Sequence, residues 1–89
     1  FLKFCKMYDS LNGLVEKPLM EMLNIMRYNY FSDNISFTDR NLSPYYNMEM
    51  KLSNNTIRLL KEHQDNLLDI KNKSKSYMMI KCIDKFLLQ

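Results

Sequence analysis

The side chains best suited to nucleophilic catalysis are two cysteines, Cys5 and Cys82, and the single histidine, His63. A cysteine nucleophile needs a neighbouring base, and His63 is the one histidine that could serve as that base. Both cysteines fall on or beside apolar helical stripes, where a thiol is usually unreactive. Their places near the two chain ends also give no zinc-ligand spacing. We therefore predict neither a cysteine-dependent enzyme nor a metal site.

Acid–base catalysis and phosphate binding each need a particular pattern of residues. Asp65 and Asp69 lie one helical turn apart, so their carboxylates share a face. General acid–base catalysis would need apolar surroundings for one of them, and that face looks solvated. Gly13 is the only glycine, which excludes a Gly-rich phosphate loop. We expect a protein that is not an enzyme and uses no cofactor.

Helical periodicity dominates the segments that would position these residues. The last stretch, 77–88, carries one apolar stripe made of Met79, Ile80, Ile83, Phe86 and Leu87. Similar stripes run through 1–8, 19–31 and 57–70, and a shorter one follows Pro44. With one Gly and two Pro in 89 residues, the chain lacks the turn residues of an all-β domain. We predict one all-α domain, 1–89, folded as a small antiparallel bundle of four to five helices.

Residues 32–43 interrupt the periodicity. They are rich in Asn, Asp and Ser, whose side chains bond to nearby backbone outside helices. Ser43-Pro44 then has the form of a helix cap followed by a first-turn proline. We predict a long loop over about 32–43 that forms the crossover of the bundle.

The middle of the chain holds more aromatic and methionine side chains than so small a core can bury. Tyr and Met are common at protein contacts because they give large, adaptable contact area. A long loop would bring the two halves of this group to one end of the domain. We predict a partner-binding surface made of Tyr28, Tyr30, Phe31, Tyr45, Tyr46, Met48 and Met50.

This surface favours a non-enzymatic protein-interaction or oligomerisation module, expected to be part of a longer intracellular protein. Its partner would be another protein or a second copy of the chain, packed as a helix in a groove or helix on helix. No apolar run approaches the ~20 residues that span a bilayer, so we expect no membrane span.

The first alternative is a secreted, N-glycosylated, cytokine-like bundle closed by a Cys5–Cys82 disulfide. The pattern Asn-x-Ser/Thr begins at Asn34, Asn41, Asn54 and Asn72, all in predicted loops or helix starts. The simpler explanation of these triplets is an Asn-rich chain whose polar links happen to contain Ser and Thr. The two cysteines would then be free thiols of an intracellular protein.

The second alternative is a weakly basic nucleic-acid-binding module. The net charge is +3, and Lys71, Lys73 and Lys75 alternate in one short segment. Three lysines without an arginine or an aromatic ladder make a weak footprint, so we expect a solvated junction between helices instead.

Overall fold

The computed structural model describes all 89 residues and contains helices and no strand, which confirms the all-α class. The helices are α1 Leu2–Leu11, α2 Lys17–Tyr28, α3 Ile35–Asn47, α4 Asn54–Glu62, α5 Gln64–Lys73 and α6 Tyr77–Cys82, and α6 continues as a π-helical segment, Ile83–Leu87. Six α-helices replace the four to five predicted, partly because the helical stripe over 57–70 divides at His63.

The predicted loop over 32–43 is wrong, because most of it belongs to α3. Asn34 caps this helix by accepting a hydrogen bond from the amide of Phe37 at 3.0 Å. Pro44 lies inside the helix, although proline cannot donate the usual backbone hydrogen bond there. Thr38 and Leu42, one turn apart, are both buried. Their burial stabilises a helix that local residue preferences disfavour, as is usual for helices in folded domains.

Consecutive helices at the start of the chain run antiparallel. Gly13 adopts φ +81° in the turn between α1 and α2, a conformation that suits glycine. The ring centre of Tyr30, just after α2, lies 5.9 Å from that of Phe4 in the first turn of α1. Glu21, early in α2, lies beside the Tyr45 hydroxyl late in α3. The predicted antiparallel arrangement therefore holds for α1, α2 and α3.

Helices α3 and α6, by contrast, run parallel. Asp39 accepts a hydrogen bond from the amide of Met78 at 3.0 Å, near the start of both helices. Near their ends, the ammonium of Lys85 donates to the backbone carbonyl of Tyr46. Contacting residues thus advance together along the two helices. The intervening α4 and α5 return the chain to the end at which α3 began.

The C-terminal stripe lies in the core, as the sequence predicts. Met79, Ile83, Phe86 and Leu87 are buried and Ile80 is half-buried. The amide of Leu88 donates to the carbonyl of Ile83 at 3.0 Å, a five-residue step that defines the π segment. This wider turn places neighbouring apolar residues on the same side of the helix.

Helices α4 and α5 contribute only one and two buried apolar residues to the core, respectively. Leu60 is the one apolar residue of α4 that is buried, and α5 buries Leu67 and Ile70. Leu59 of α4 also packs, partly buried, against the core, and hydrogen bonds add to the attachment. The side-chain amide of Asn66 donates to the carbonyl of Lys3 at 2.9 Å, which ties α5 to α1.

Glu16, just before α2, caps the start of α4 from a distance in sequence. Its carboxylate accepts hydrogen bonds from the amide of Ser53 at 2.8 Å and from the hydroxyl of Thr56 at 2.6 Å. Ser53 also caps α4 locally, since its hydroxyl accepts from the Thr56 amide at 3.2 Å. Burial alone would raise the pKa of Glu16, but the hydrogen bonds outweigh it and lower the pKa below its ordinary 4.5.

Asp39 plays the same part at the start of α6. One of its oxygens accepts hydrogen bonds from the Ser76 hydroxyl at 2.6 Å and from the Met78 amide at 3.0 Å. The Ser76 hydroxyl accepts in turn from the Met79 amide at 3.1 Å. Two helices of this fold thus begin at carboxylates supplied by other elements.

Candidate protein-contact site

The seven residues predicted to form one contact surface lie at two separate ends of α3. Tyr28, Tyr30 and Phe31 precede its N-terminus, whereas Tyr45 and Tyr46 occupy its last turn. At 1.5 Å per residue, the helix from residue 35 to residue 45 separates them by about 15 Å. The expectation that both halves meet at one end is wrong, because it depended on a loop where the chain forms a helix.

The second half of this group belongs largely to the packed interior. Tyr45, Tyr46 and Met50 are half-buried against the core, and Met48 is 39% exposed. The ammonium of Lys85 lies 4.6 Å from the ring centre of Tyr46, a cation–π contact. Burial and a neighbouring carboxylate of α2 raise the pKa of the Tyr45 hydroxyl. These side chains have partners within the domain already.

Tyr30 and Phe31 of the first half pack against two phenylalanines. One is Phe4 in α1, and the other is Phe1, which precedes that helix. Ring centres lie 5.2 Å apart for Phe1 and Tyr30, 5.0 Å for Phe1 and Phe31, 5.9 Å for Phe4 and Tyr30, and 4.9 Å for Tyr30 and Phe31. Tilted and edge-on pairs at such distances are favourable. Phe4 is buried, yet Phe31 is 73% exposed and Phe1 44%. We call these four residues the aromatic corner.

Tyr28 stands apart from these rings. It is 85% exposed and contacts none of the four rings of the aromatic corner. An isolated exposed tyrosine is common on protein surfaces and does not define a site.

A pocket of about 210 Å³ opens beside the aromatic corner. It lies between the end of α2, the start of α3 and the link from α5 to α6. Tyr30, Phe31 and Ile35 form part of its walls, and the core residues Ile70 and Met79 also line it. Five of its thirteen lining residues are hydrophobic and the other eight are polar or charged, so the lining is mixed, and its apolar part is continuous with the exposed rings.

Charged side chains stand around this pocket. Asp33 belongs to the α2–α3 connection, and Lys73 and Lys75 to the end of α5 and the link that follows. Lys73 forms an ion pair with Asp69 at 3.1 Å, and this hydrogen-bonded pair raises the pKa of Lys73. Lys75 forms no ion pair and remains exposed.

The lysine segment offers less free positive charge than its sequence indicates. Lys71 pairs with Asp84 at 2.7 Å and Lys73 with Asp69 at 3.1 Å. Only Lys75 of the three lacks an acidic partner. Since neutralised lysines release few counterions on binding phosphates, this arrangement does not favour a nucleic-acid interface.

The two thiols and the histidine lie in different surroundings. Cys5 and Cys82 are free thiols rather than a disulfide. Cys82 is buried, its sulfur lies 3.9 Å from the carbonyl of Leu42, and burial raises its pKa to about 11. His63 is half-buried at the junction of α4 and α5. No cluster of His, Cys, Asp and Glu is placed to hold a metal ion, and no helix is long and apolar enough to cross a membrane.

The Asn-x-Ser/Thr asparagines occupy more regular structure than predicted. Asn34 is the cap of α3, with its side-chain oxygen in a hydrogen bond. Asn54 begins α4, and the hydroxyl of Thr56 in the same triplet is buried against a carboxylate. Asn41 lies in the middle of α3 and Asn72 in the last turn of α5. The expectation that all four lie in loops or helix starts is wrong for these last two.

Sequence reasoning missed Phe1, Phe4, Ile35 and Met79 as neighbours of the contact site. A signal for the two phenylalanines exists, because pairing α1 and α2 as an antiparallel hairpin places the start of α1 beside the residues after α2. No such local signal exists for Met79, which reaches the pocket only through the packing of α6 on α3.

Comparison with known proteins gives no relative from which a role could be transferred: no family model, curated protein or solved structure matches this chain. Inference about function therefore depends on the geometry of the aromatic corner and its pocket.

Proposed function

We propose that this chain is a non-enzymatic protein-interaction module that binds a partner protein through the aromatic corner and the pocket beside it. The observation that carries the proposal is the position of Phe31. Its ring is 73% exposed, packs on Tyr30 and Phe1, and lies at the edge of a pocket that five hydrophobic residues help to line. Exposed aromatic rings held in place by neighbours are typical anchors of protein interfaces.

The size of the pocket supports a protein partner over a small-molecule ligand. Its volume of about 210 Å³ is below the ~300–1,000 Å³ of typical small-molecule sites. A single large side chain needs less space than a whole ligand, and the flat rings beside the pocket would add contact area around it. Because the rings are fixed by their mutual packing, binding would order few additional side chains.

The arrangement of reactive groups supports a role without catalysis. The thiol of Cys82 is buried with a raised pKa, so little of it is the reactive thiolate near neutral pH. None of the residues lining the pocket is a cysteine or a histidine. The pocket offers contact surface and charge rather than a nucleophile with its base.

The test is a selection of peptides from a phage-displayed random library on the folded protein, with affinities measured by calorimetry. Phe31→Ala should weaken binding of the selected peptides at least about tenfold, as expected for a central aromatic anchor. Tyr77→Ala is the matched control, since Tyr77 is an aromatic residue of α6, 60% exposed and outside the corner. Sedimentation velocity over a range of concentrations tests the case in which the partner is a second copy.

Loss of peptide binding or of self-association in Phe31→Ala, with Tyr77→Ala unaffected, would support the proposal. Equal affinities for the wild-type protein and Phe31→Ala would refute it, as would equal losses in the two variants. Circular dichroism checks that both variants keep the helical fold.

A further inference from the structure

The pocket beside the aromatic corner is lined by groups of two kinds, and each limits what can bind there. The five hydrophobic residues of its lining, Ile70 and Met79 among them, offer no partner to a charged group, which would lose its hydration against them without compensation. A large aliphatic or aromatic side chain would instead replace water over apolar surface.

The charges around this surface carry the second constraint. Asp69 is already paired with Lys73, so its charge is balanced within the protein. Lys75 lines the pocket and Lys3 lines the groove next to it, and neither forms an ion pair. Asp33 is the one acidic residue lining the pocket or that groove without an ion pair. The unpaired charges are thus two positive against one negative.

The two unpaired lysines and the unpaired aspartate lie on different elements. Lys75 belongs to the link between α5 and α6, and Lys3 lies in α1, the helix that Asn66 of α5 holds in place. Asp33 lies in the connection between α2 and α3. A segment that follows the aromatic corner along the α1 and α5 side would meet positive charge, whereas one that continues over the start of α3 would meet Asp33.

We infer that the partner is a protein segment with one large apolar side chain for the pocket and acidic side chains beside it for Lys3 and Lys75. This inference rests on the proposed function and names the class of partner. The apolar anchor supplies most of the affinity, and the acidic residues set orientation and partner choice. Charge complementarity at an exposed rim acts mainly in this way.

Charge reversal in the selected phage peptides tests the inference. The sequences retained by the wild-type protein should contain a large apolar residue with Asp or Glu within a few positions. Lys3→Glu combined with Lys75→Glu should weaken their binding about three- to thirtyfold, the range for loss of two exposed ion pairs. Peptides with the acidic residues changed to Lys should regain affinity for this double variant. Lys51→Glu, an exposed lysine in the α3–α4 link without an ion pair, is the matched control.

The outcomes separate this inference from the proposed function. Peptides that need Phe31 but show no acidic bias, or that bind the double variant normally, would overturn the inference and leave the proposed function standing. Self-association that Phe31→Ala abolishes would likewise support the module and overturn the acidic segment as its partner. Absence of any binding that depends on Phe31 would overturn both.

Discussion

Replacing Glu16 tests whether the two helix-capping hydrogen bonds at the start of α4 hold that helix in place. The Glu16 carboxylate accepts from the Ser53 amide at 2.8 Å and from the Thr56 hydroxyl at 2.6 Å. A hydrogen bond to a charged group contributes about 1.5–3 kcal/mol. Because Glu16 is half-buried and its partners can turn partly to water, the lower part of that range applies to each bond. At about 1.5 kcal/mol for each of the two bonds, Glu16→Ala should reduce the free energy of unfolding by about 3 kcal/mol.

For a domain of this size, such a loss lowers Tm by about 12–24 °C. Urea unfolding followed by circular dichroism measures the free energy directly. Glu62→Gln is the control, because Glu62 is exposed and pairs with Arg58 one turn away at 3.1 Å. An exposed pair of that kind contributes about 0.2–0.5 kcal/mol, so the control should be nearly as stable as the wild type.

The effect should also depend on pH, with a definite sign. The folded-state pKa of Glu16 lies below its ordinary value of 4.5, since hydrogen bonds from Thr56 and Ser53 outweigh the burial that would raise it. The ionised carboxylate therefore stabilises the fold above pH 4.5, and this contribution is lost as the pH falls through the lowered pKa. Glu16→Gln cannot ionise. Its stability deficit should be largest near pH 7 and should shrink as the pH falls below 4.5.

Two results would refute this reasoning. If Glu16→Ala costs no more than Glu62→Gln, the bonds to Ser53 and Thr56 do not stabilise α4 in solution. If the deficit of Glu16→Gln is the same at every pH, the charge of Glu16 does not contribute.

Three further predictions concern packing and thiol reactivity. Ile83→Ala and Leu60→Ala each remove a buried aliphatic side chain and should cost about 2–5 kcal/mol in urea unfolding; costs below about 1 kcal/mol would mean that these positions are not packed as described. Cys5, which is half-buried, should react with iodoacetamide in the folded protein well before Cys82, because burial and a raised pKa protect the Cys82 thiol. Mass spectrometry of the digested protein measures the order of labelling, and equal rates would contradict that protection. Tyr46→Ala should destabilise the domain by about 1–3 kcal/mol, less than a fully buried aromatic, because the ring is half-buried against the core; unchanged Tm would return Tyr46 to the candidate contact residues.

Local patterns in the sequence predicted most of the helices. The stripes that became α1, α2, α4, α5 and α6 appear as apolar residues three and four apart, and that spacing follows from the geometry of a helix alone. Helix boundaries had local signals as well. Ser53 caps α4, and Gly13 has a positive φ in the turn that follows α1.

Helix α3 was beyond such reasoning for a physical reason. Its residues prefer turns and caps, and Pro44 removes a hydrogen bond from its interior. Burial of Thr38 and Leu42, together with the link from Asp39 to α6, supplies the stability that local preferences lack. These contacts join residues about forty positions apart in sequence, and no periodicity within a segment reports them.

The contact site, too, was predicted from the sequence in part and decided by the tertiary structure in part. The surplus of aromatic residues in the sequence pointed to Tyr30 and Phe31, because so small a core cannot bury them all. Which aromatic residues stay exposed was decided by the tertiary structure. Once α3 formed, its length carried Tyr45 and Tyr46 to the other end, where α6 and the core partly cover them. The pocket exists only because the end of α2, the start of α3 and the α5–α6 link meet there, and that meeting is a property of helix packing rather than of any one stretch of sequence.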